Sequence, residues 1–508
     1  MQNERFEIIA KTFQGLEGVL AEEITALGGS DVTIGRRMVS FKGDKAMLYK
    51  ANLACRTALR ILKPILHFEA SNPDEVYNTL RNYDWEQLMT LSTTFSIDSV
   101  VFSDEFRHSK FVTYRMKDAI ADFFNERYGK RPSVRLNNAD IQFNLHINNT
   151  TCTLSLDSSG ESLHKRGYRD AQTEAPINEV LAAGLIMLTG WRGESNFVDP
   201  MCGSGTFLIE AALIATNTYP GIFRQHFAFE KWPDFEPELL EELYNDDSNE
   251  REFEHKIYGS DISVKATAIA ERNIKSAGVG RYIELTTQPI QNYETAPAQG
   301  GIIVTNPPYG ERIAAEDMEA LYEAIGNRLK HVFKGYTAWV LGYRQEHFDK
   351  IGLKPSAKIP TLNGALECEF RKYEIFDGTY AAHKRATATE PPKPRPVRSK
   401  DKPRRDEKRP FGRGDKKAFD NKERKPFERK ERKPFGDKER KPFGRRDDQK
   451  TTPRGEKGRY ERRERPTSFD KRERHTPPTT PNNAEGRMPK KTTAGSRTRT
   501  RKNNNENK

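Results

Sequence analysis

Cysteine is scarce: only positions 55, 152, 202 and 368 carry one in 508 residues. They are too few and too far apart for a disulfide framework, and no pair has metal-ligand spacing, so no metal is expected. Nowhere does the chain hold about 18 consecutive apolar residues, which argues against a membrane-spanning helix and a membrane partner. The opening Met1-Gln2-Asn3-Glu4-Arg5 lacks a basic stretch followed by an apolar one, so no signal peptide is expected and the cytoplasm is the expected compartment. Hydrophobic residues make up only 35% of the chain, low for a wholly globular protein.

That shortage is local. Residues 381–508 carry +24 of a chain total of +12, which leaves −12 on residues 1–380. The basic end repeats Glu423-Arg424-Lys425-Pro426-Phe427 at Glu431 and again at Glu439. It has almost no aliphatic residues to offset the entropy of ordering, so disorder is expected. Its spaced phenylalanines among cations suit RNA, although a purely solubilising tail has the same composition.

Four regions follow from the patterning: 1–64, 65–160, 161–380 and the tail 381–508. Residues 1–64 alternate short strands with helices as a small α+β unit. The next region has a helix from Pro73, a strand over Thr94–Val101, a long amphipathic helix from Lys110 to Tyr128, and a hairpin across Asn148-Asn149. A basic connector, Leu163 to Arg169, leads into strands alternating with helices. That pattern predicts an α/β domain with a doubly wound parallel sheet, closed by an edge hairpin around Asn363-Gly364.

The chemistry is concentrated in three strand-end loops of that last domain. Asp199-Pro200-Met201-Cys202-Gly203-Ser204-Gly205-Thr206 runs from a strand through a glycine-containing loop into a helix. Glycines permit close backbone approach to a ligand, and the helix start offers free N–H groups. The loop has neither the third glycine of a dinucleotide fingerprint nor the lysine of a phosphate loop. Asp261, followed by Ile262, ends the next strand, where a carboxylate can accept from ribose hydroxyls or simply cap a helix. Ile302–Thr305 then runs into Asn306-Pro307-Pro308-Tyr309. Two prolines stiffen this turn and remove two donors, leaving an amide, bare carbonyls and a ring to receive a planar amine. The three loops should converge on one crevice at the carboxyl edge.

Together these motifs resemble class I S-adenosylmethionine-dependent methyltransferases that modify amino groups. By this resemblance Asp199, Pro200, Cys202, Gly203, Ser204, Gly205 and Thr206 form the cofactor loop. Asp261 matches the ribose-binding acid, and Ile262 beside it also lines the cofactor. Gln288 stands where the family places an acid near the adenine, and Asn306 to Tyr309 are the catalytic motif, with Asn306 also touching the cofactor. Residues 1–160 resemble a ferredoxin-like plus THUMP module of RNA-modifying enzymes. The Leu163–Arg169 and Thr305–Arg312 segments resemble bacterial THUMP-containing guanine-N2 methyltransferases of large-subunit ribosomal RNA. The resemblance implies S-adenosylmethionine as cofactor and RNA as partner, 23S rRNA or a pre-ribosomal particle. Arg166, Arg169 and the tail are expected to contact phosphate. Adenine-N6 or tRNA methylation uses the same motif, and a non-catalytic RNA-binding assembly factor is a third reading.

Overall fold

The structure is a computed structural model that describes residues 4–106, 108–173, 176–308 and 315–376. Tyr309, the neighbouring Glu311 and Arg312, and the whole 381–508 tail with its repeats lie outside the described residues.

The first half of the chain forms one sheet. Strands β1 (Phe6–Lys11), β2 (Ser30–Gly35), β3 (Met38–Gly43) and β4 (Arg60–Glu69) alternate with α1 (Glu17–Leu27) and α2 (Lys45–Ala54). They are followed by α3 (Pro73–Arg81), β5 (Thr94–Phe102), α4 (Ser109–Tyr128), β6 (Ser133–Val134), β7 (Ile141–Asn148) and β8 (Thr151–Asp157). The eight strands lie in the order β2-β3-β1-β4-β8-β7-β5-β6. The boundary expected between residues 64 and 65 falls inside β4. Residues 60–62 of that strand pair with β1, and residues 62–69 pair with β8. The register shifts at Pro64, which has no N–H to give the ladder. The two small units therefore share a core, with Ile8, Phe41 and Ile61 in one cluster with Phe95, Phe143 and Leu154.

The second half builds a seven-stranded sheet. Its strands are β9 (Phe197–Asp199), β10 (Ile257–Asp261), β11 (Ile283–Thr287), β12 (Gly301–Thr305), β13 (Tyr336–Gly342), β14 (Ala357–Asn363) and β15 (Leu366–Glu374). The order is β11-β10-β9-β12-β13-β15-β14, parallel except for β15, which runs antiparallel to both neighbours. Helices α5 (Glu179–Leu188), α6 (Thr206–Ala215) and α8 (Val264–Ser276) contribute to the core on one face. Helices α9 (Ala315–His331) and α10 (Gln345–Lys350) contribute to the other. β12 and β13 are buried along most of their length and read as largely apolar runs, as burial on both faces requires. The chain builds outward from β9 to β11, then crosses to β12 on the other side. The switch lies between β9 and β12, where open α/β sheets form a binding crevice.

An insert after α6, containing α7 (Pro237–Asn245), leaves the second sheet and packs on the first half. Phe229 stacks on Tyr49 of α2 at 4.1 Å, and Phe227 stacks on Phe229 at 5.2 Å. Trp232 and Leu240 complete the contact. These aromatic rings are core, with no face open to stack on a base.

Candidate active site at the carboxyl edge of the parallel sheet

β9, β10 and β12 are adjacent, so their carboxyl ends deliver three loops to one place. A cleft of about 980 Å³ opens there. One wall is Asp199 to Ser204 with Thr206; Asp261 and Ile262 form the second, and Asn306 with Pro308 the third. Helix α9 closes it with Asp317, Ala320 and Leu321.

Within the first loop, Gly203 and Gly205 adopt left-handed backbone, φ 54° and 82°. A Cβ on Gly205 would lie 3.1 Å from the Ala270 Cβ, so glycine lets α8 pack tightly behind the start of α6. Gly203 donates its N–H to Asp261 Oδ2 at 2.9 Å, and Ser263 donates to Oδ1 at 2.9 Å. The Asp261 carboxylate thus joins the first loop to the second and also caps the turn into α8. Ile262 is 72% exposed on the cleft rim.

Asp199 is fully buried. Its Oδ1 accepts the Thr305 hydroxyl at 2.8 Å and the Met201 N–H at 3.2 Å. Burial pushes this carboxyl up to about 7 against both hydrogen bonds, and the nearby Asp261 charge adds to the rise. The Thr305 bond ties the end of β12, one residue before Asn306, to the end of β9. The Cys202 thiol is buried and pushed well up by burial, which keeps it protonated and a poor nucleophile.

Asn306 carries the feature that bears on chemistry. Its side-chain oxygen is buried and has no hydrogen-bond partner among the described residues, while the residue lines the cleft. A buried acceptor left unmade costs about 1–3 kcal/mol, which an incoming N–H donor would recover. Pro307 is buried behind it and Pro308 lines the cleft.

Other expected residues sit elsewhere. Gln288 gives its N–H to the Asp261 carbonyl at 3.0 Å, and its side chain interacts with Tyr293. The cleft wall after β11 is Pro289, Ile290 and Gln291 instead. Arg166 does not present its guanidinium to phosphate: it is 2% exposed, bonded to Glu210 at 3.4 Å and to the Leu163 and Arg56 carbonyls. Arg169 is also turned inward, to Glu179 at 2.6 Å and to Ser204 and Thr206 at 3.2 and 3.0 Å. Arg166 thus braces α6, and Arg169 braces the glycine loop and the start of α6. Sequence alone reads both cations as solvent-facing, and only the fold brings Glu210 to Arg166 and Glu179 to Arg169.

Two supporting residues escaped the sequence reading. Asn273 accepts the Asp170 N–H at 3.1 Å and donates to the Ser204 carbonyl at 3.0 Å, clamping the connector to the glycine loop. Tyr293 donates to Ser260, whose hydroxyl bonds the Pro200 carbonyl. The signal for Asn273 was an amide on the apolar face of a helix, between Ala270 and Ile274.

Comparison with known proteins follows this division. Residues 7–62 match the RlmL ferredoxin-like domain, residues 70–157 the THUMP domain, and residues 166–372 the RMKL-like methyltransferase domain. A Synechocystis sp. protein, slr0064, whose name assigns it RNA methylation, is 38% identical over 370 residues, 72% of this chain and 96% of that protein. The ribosomal RNA large subunit methyltransferase K/L of Syntrophotalea carbinolica is 37% identical over 377 residues, 72% of this chain; the chain spans 53% of that relative. The crystal structure of SMU.472 complexed with SAH is 28% identical with a TM-score of 0.66, over 75% of this chain and all of that one. The chain therefore belongs to the family of THUMP-containing, RMKL-like methyltransferases.

Proposed function

We propose that the chain transfers a methyl group from S-adenosylmethionine to the exocyclic N2 amine of a guanosine in large-subunit ribosomal RNA. The observation that carries the reading is the buried Asn306 oxygen, without a hydrogen-bond partner among the described residues, on a residue that lines the same cleft as the glycine loop. The names of the K/L relative and of the SAH-bound neighbour support the target and the cofactor.

The residues present fit such a cofactor. Gly203 has only the Thr173 hydroxyl near its Cβ position, at 4.0 Å, so a ligand can approach the backbone there. Asp261 offers a carboxylate at the strand end where ribose hydroxyls are held in this fold. When bound, the cofactor supplies an electrophilic methyl group on its sulfonium.

The chain's own part is to make a poor nucleophile competent. The lone pair of a guanine amine is delocalised into the ring. Asn306 Oδ1 and the Pro307 carbonyl accept its two N–H bonds and hold the nitrogen with its lone pair facing the cleft. These bonds strengthen as positive charge develops on nitrogen, so they stabilise the transition state more than the ground state. Tyr309 supplies the stacking ring of the motif. Neither Cys202 nor Asp199 is placed to act as a covalent nucleophile, because both are buried and the Asp199 carboxylate is engaged by Thr305 and Met201.

Incubating the protein with unmethylated 23S rRNA and tRNA, followed by nucleoside mass spectrometry, tests the target. N2-methylguanosine in rRNA is expected. N6-methyladenosine, or label confined to tRNA, would refute the assignment.

A further inference from the structure

With Arg166 and Arg169 turned inward, the RNA surface must lie elsewhere. Residues 1–380 carry −12, so a phosphate backbone is repelled from most of this body and needs a local exception. Residues 127–138, Arg-Tyr-Gly-Lys-Arg-Pro-Ser-Val-Arg-Leu-Asn-Asn, hold four cations and no acid. All are exposed except Pro132. Arg127 stacks on Phe123 and bonds its carbonyl. Lys130, Arg131 and Arg135 have no ion pair described and stand in solvent at the edge of the sheet.

The segment is fixed in place. β6 pairs with β5 through Ser133 and Val134, and the Arg135 N–H extends the ladder to the Phe95 carbonyl at 2.9 Å. Its far end is held by Lys231 of the insert, which donates to Asn138 Oδ1 at 2.9 Å. The cations are thus presented on a frame joined to the methyltransferase half. Between them Tyr128 (52% exposed), Val134 (48%) and Leu136 (85%) offer apolar surface. Cations alternating with apolar side chains match a strand of nucleic acid, whose phosphates alternate with sugars and bases.

We propose that residues 127–136 are a contact surface for the phosphate backbone of the RNA substrate, with Lys130, Arg131 and Arg135 making the ionic contacts. The proposal rests on the RNA reading above and adds where the RNA lies.

The test uses the full-length chain and a labelled in vitro transcript of large-subunit rRNA. Affinity is measured from about 50 to 200 mM salt. Lys130→Ala/Arg131→Ala/Arg135→Ala should weaken binding on the order of 100-fold at low salt and make the log–log salt slope shallower by about 2–3, one increment per lost phosphate contact. Cofactor affinity by calorimetry should not move. A control with the same charge change, Arg272→Ala/Lys275→Ala/Lys330→Ala, should leave the slope unchanged. A strip variant indistinguishable from wild type, or a control that loses as much, overturns the proposal. Retained RNA affinity together with loss of polyglutamate binding would assign the strip to an acidic protein and overturn it as well. If the slope falls as expected while mass spectrometry finds no methylated guanosine, the strip stands and the target reading falls.

Discussion

Asp199 shows how one residue couples the site to pH. Its carboxyl ionises near 3.9 in an unfolded chain and is raised to about 7 here by burial. The folded state therefore holds a proton that the unfolded state has released between about pH 4 and 7. This stability is fully present below pH 4, falls as pH rises through the window, and is gone above it, a loss of up to about 4 kcal/mol. Asp199→Asn keeps the shape without the buried charge. In cofactor-free protein its melting temperature should gain several degrees on wild type between pH 5 and 8, at about 2–4 °C per kcal/mol. A difference that stays flat with pH contradicts the assignment. The position of the acid was legible, because Asp-Pro closes an apolar run just before a glycine loop. Its partner Thr305 was not, since 106 residues separate them and only adjacency of β9 and β12 brings them together.

At the scale of elements, the loops matter more than the strands that carry them. Gly205→Ala forces a left-handed φ on a side chain and drives a Cβ toward Ala270. Denaturant unfolding should show a loss of about 1–3 kcal/mol, with a weaker cofactor affinity by calorimetry because the loop and α8 must separate. Unchanged stability and affinity would mean the loop tolerates the shift. The three loops and the edge hairpin were readable because apolar runs ended at Gly, Pro and Asn. β2 escaped because Ser30–Gly35 is a largely exposed edge strand with little apolar content. Gln288 itself does not line the cleft, because the short turn after β11 brings Pro289 to Gln291 there.

For the molecule as a whole, the two halves are held by buried charge and aromatic packing. Arg166 joins Glu210 of α6 to the Arg56 carbonyl of the first half, and Tyr168 donates to the same Glu210 carboxylate at 2.9 Å. Removing one member of a buried pair leaves the other unpaired, at about 3–5 kcal/mol. Arg166→Ala should therefore unfold at lower denaturant by that amount while its RNA salt slope stays at the wild-type value. A shallower slope without loss of stability would restore Arg166 as a phosphate contact. Composition announced a basic tail and an acidic body, but it gave no sign that the body's sheet runs unbroken through two small units. That continuity depends on β4 being long enough to pair with both β1 and β8.

The central claim is that Asn306 accepts from the reacting amine. Single-turnover methylation of rRNA by Asn306→Ala at saturating S-adenosylmethionine tests it most directly, with cofactor affinity measured in parallel. Cofactor binding should persist while the methyl-transfer rate falls about 10²–10³-fold, the loss seen when one transition-state hydrogen bond is removed. A rate near wild type with cofactor still bound would contradict it.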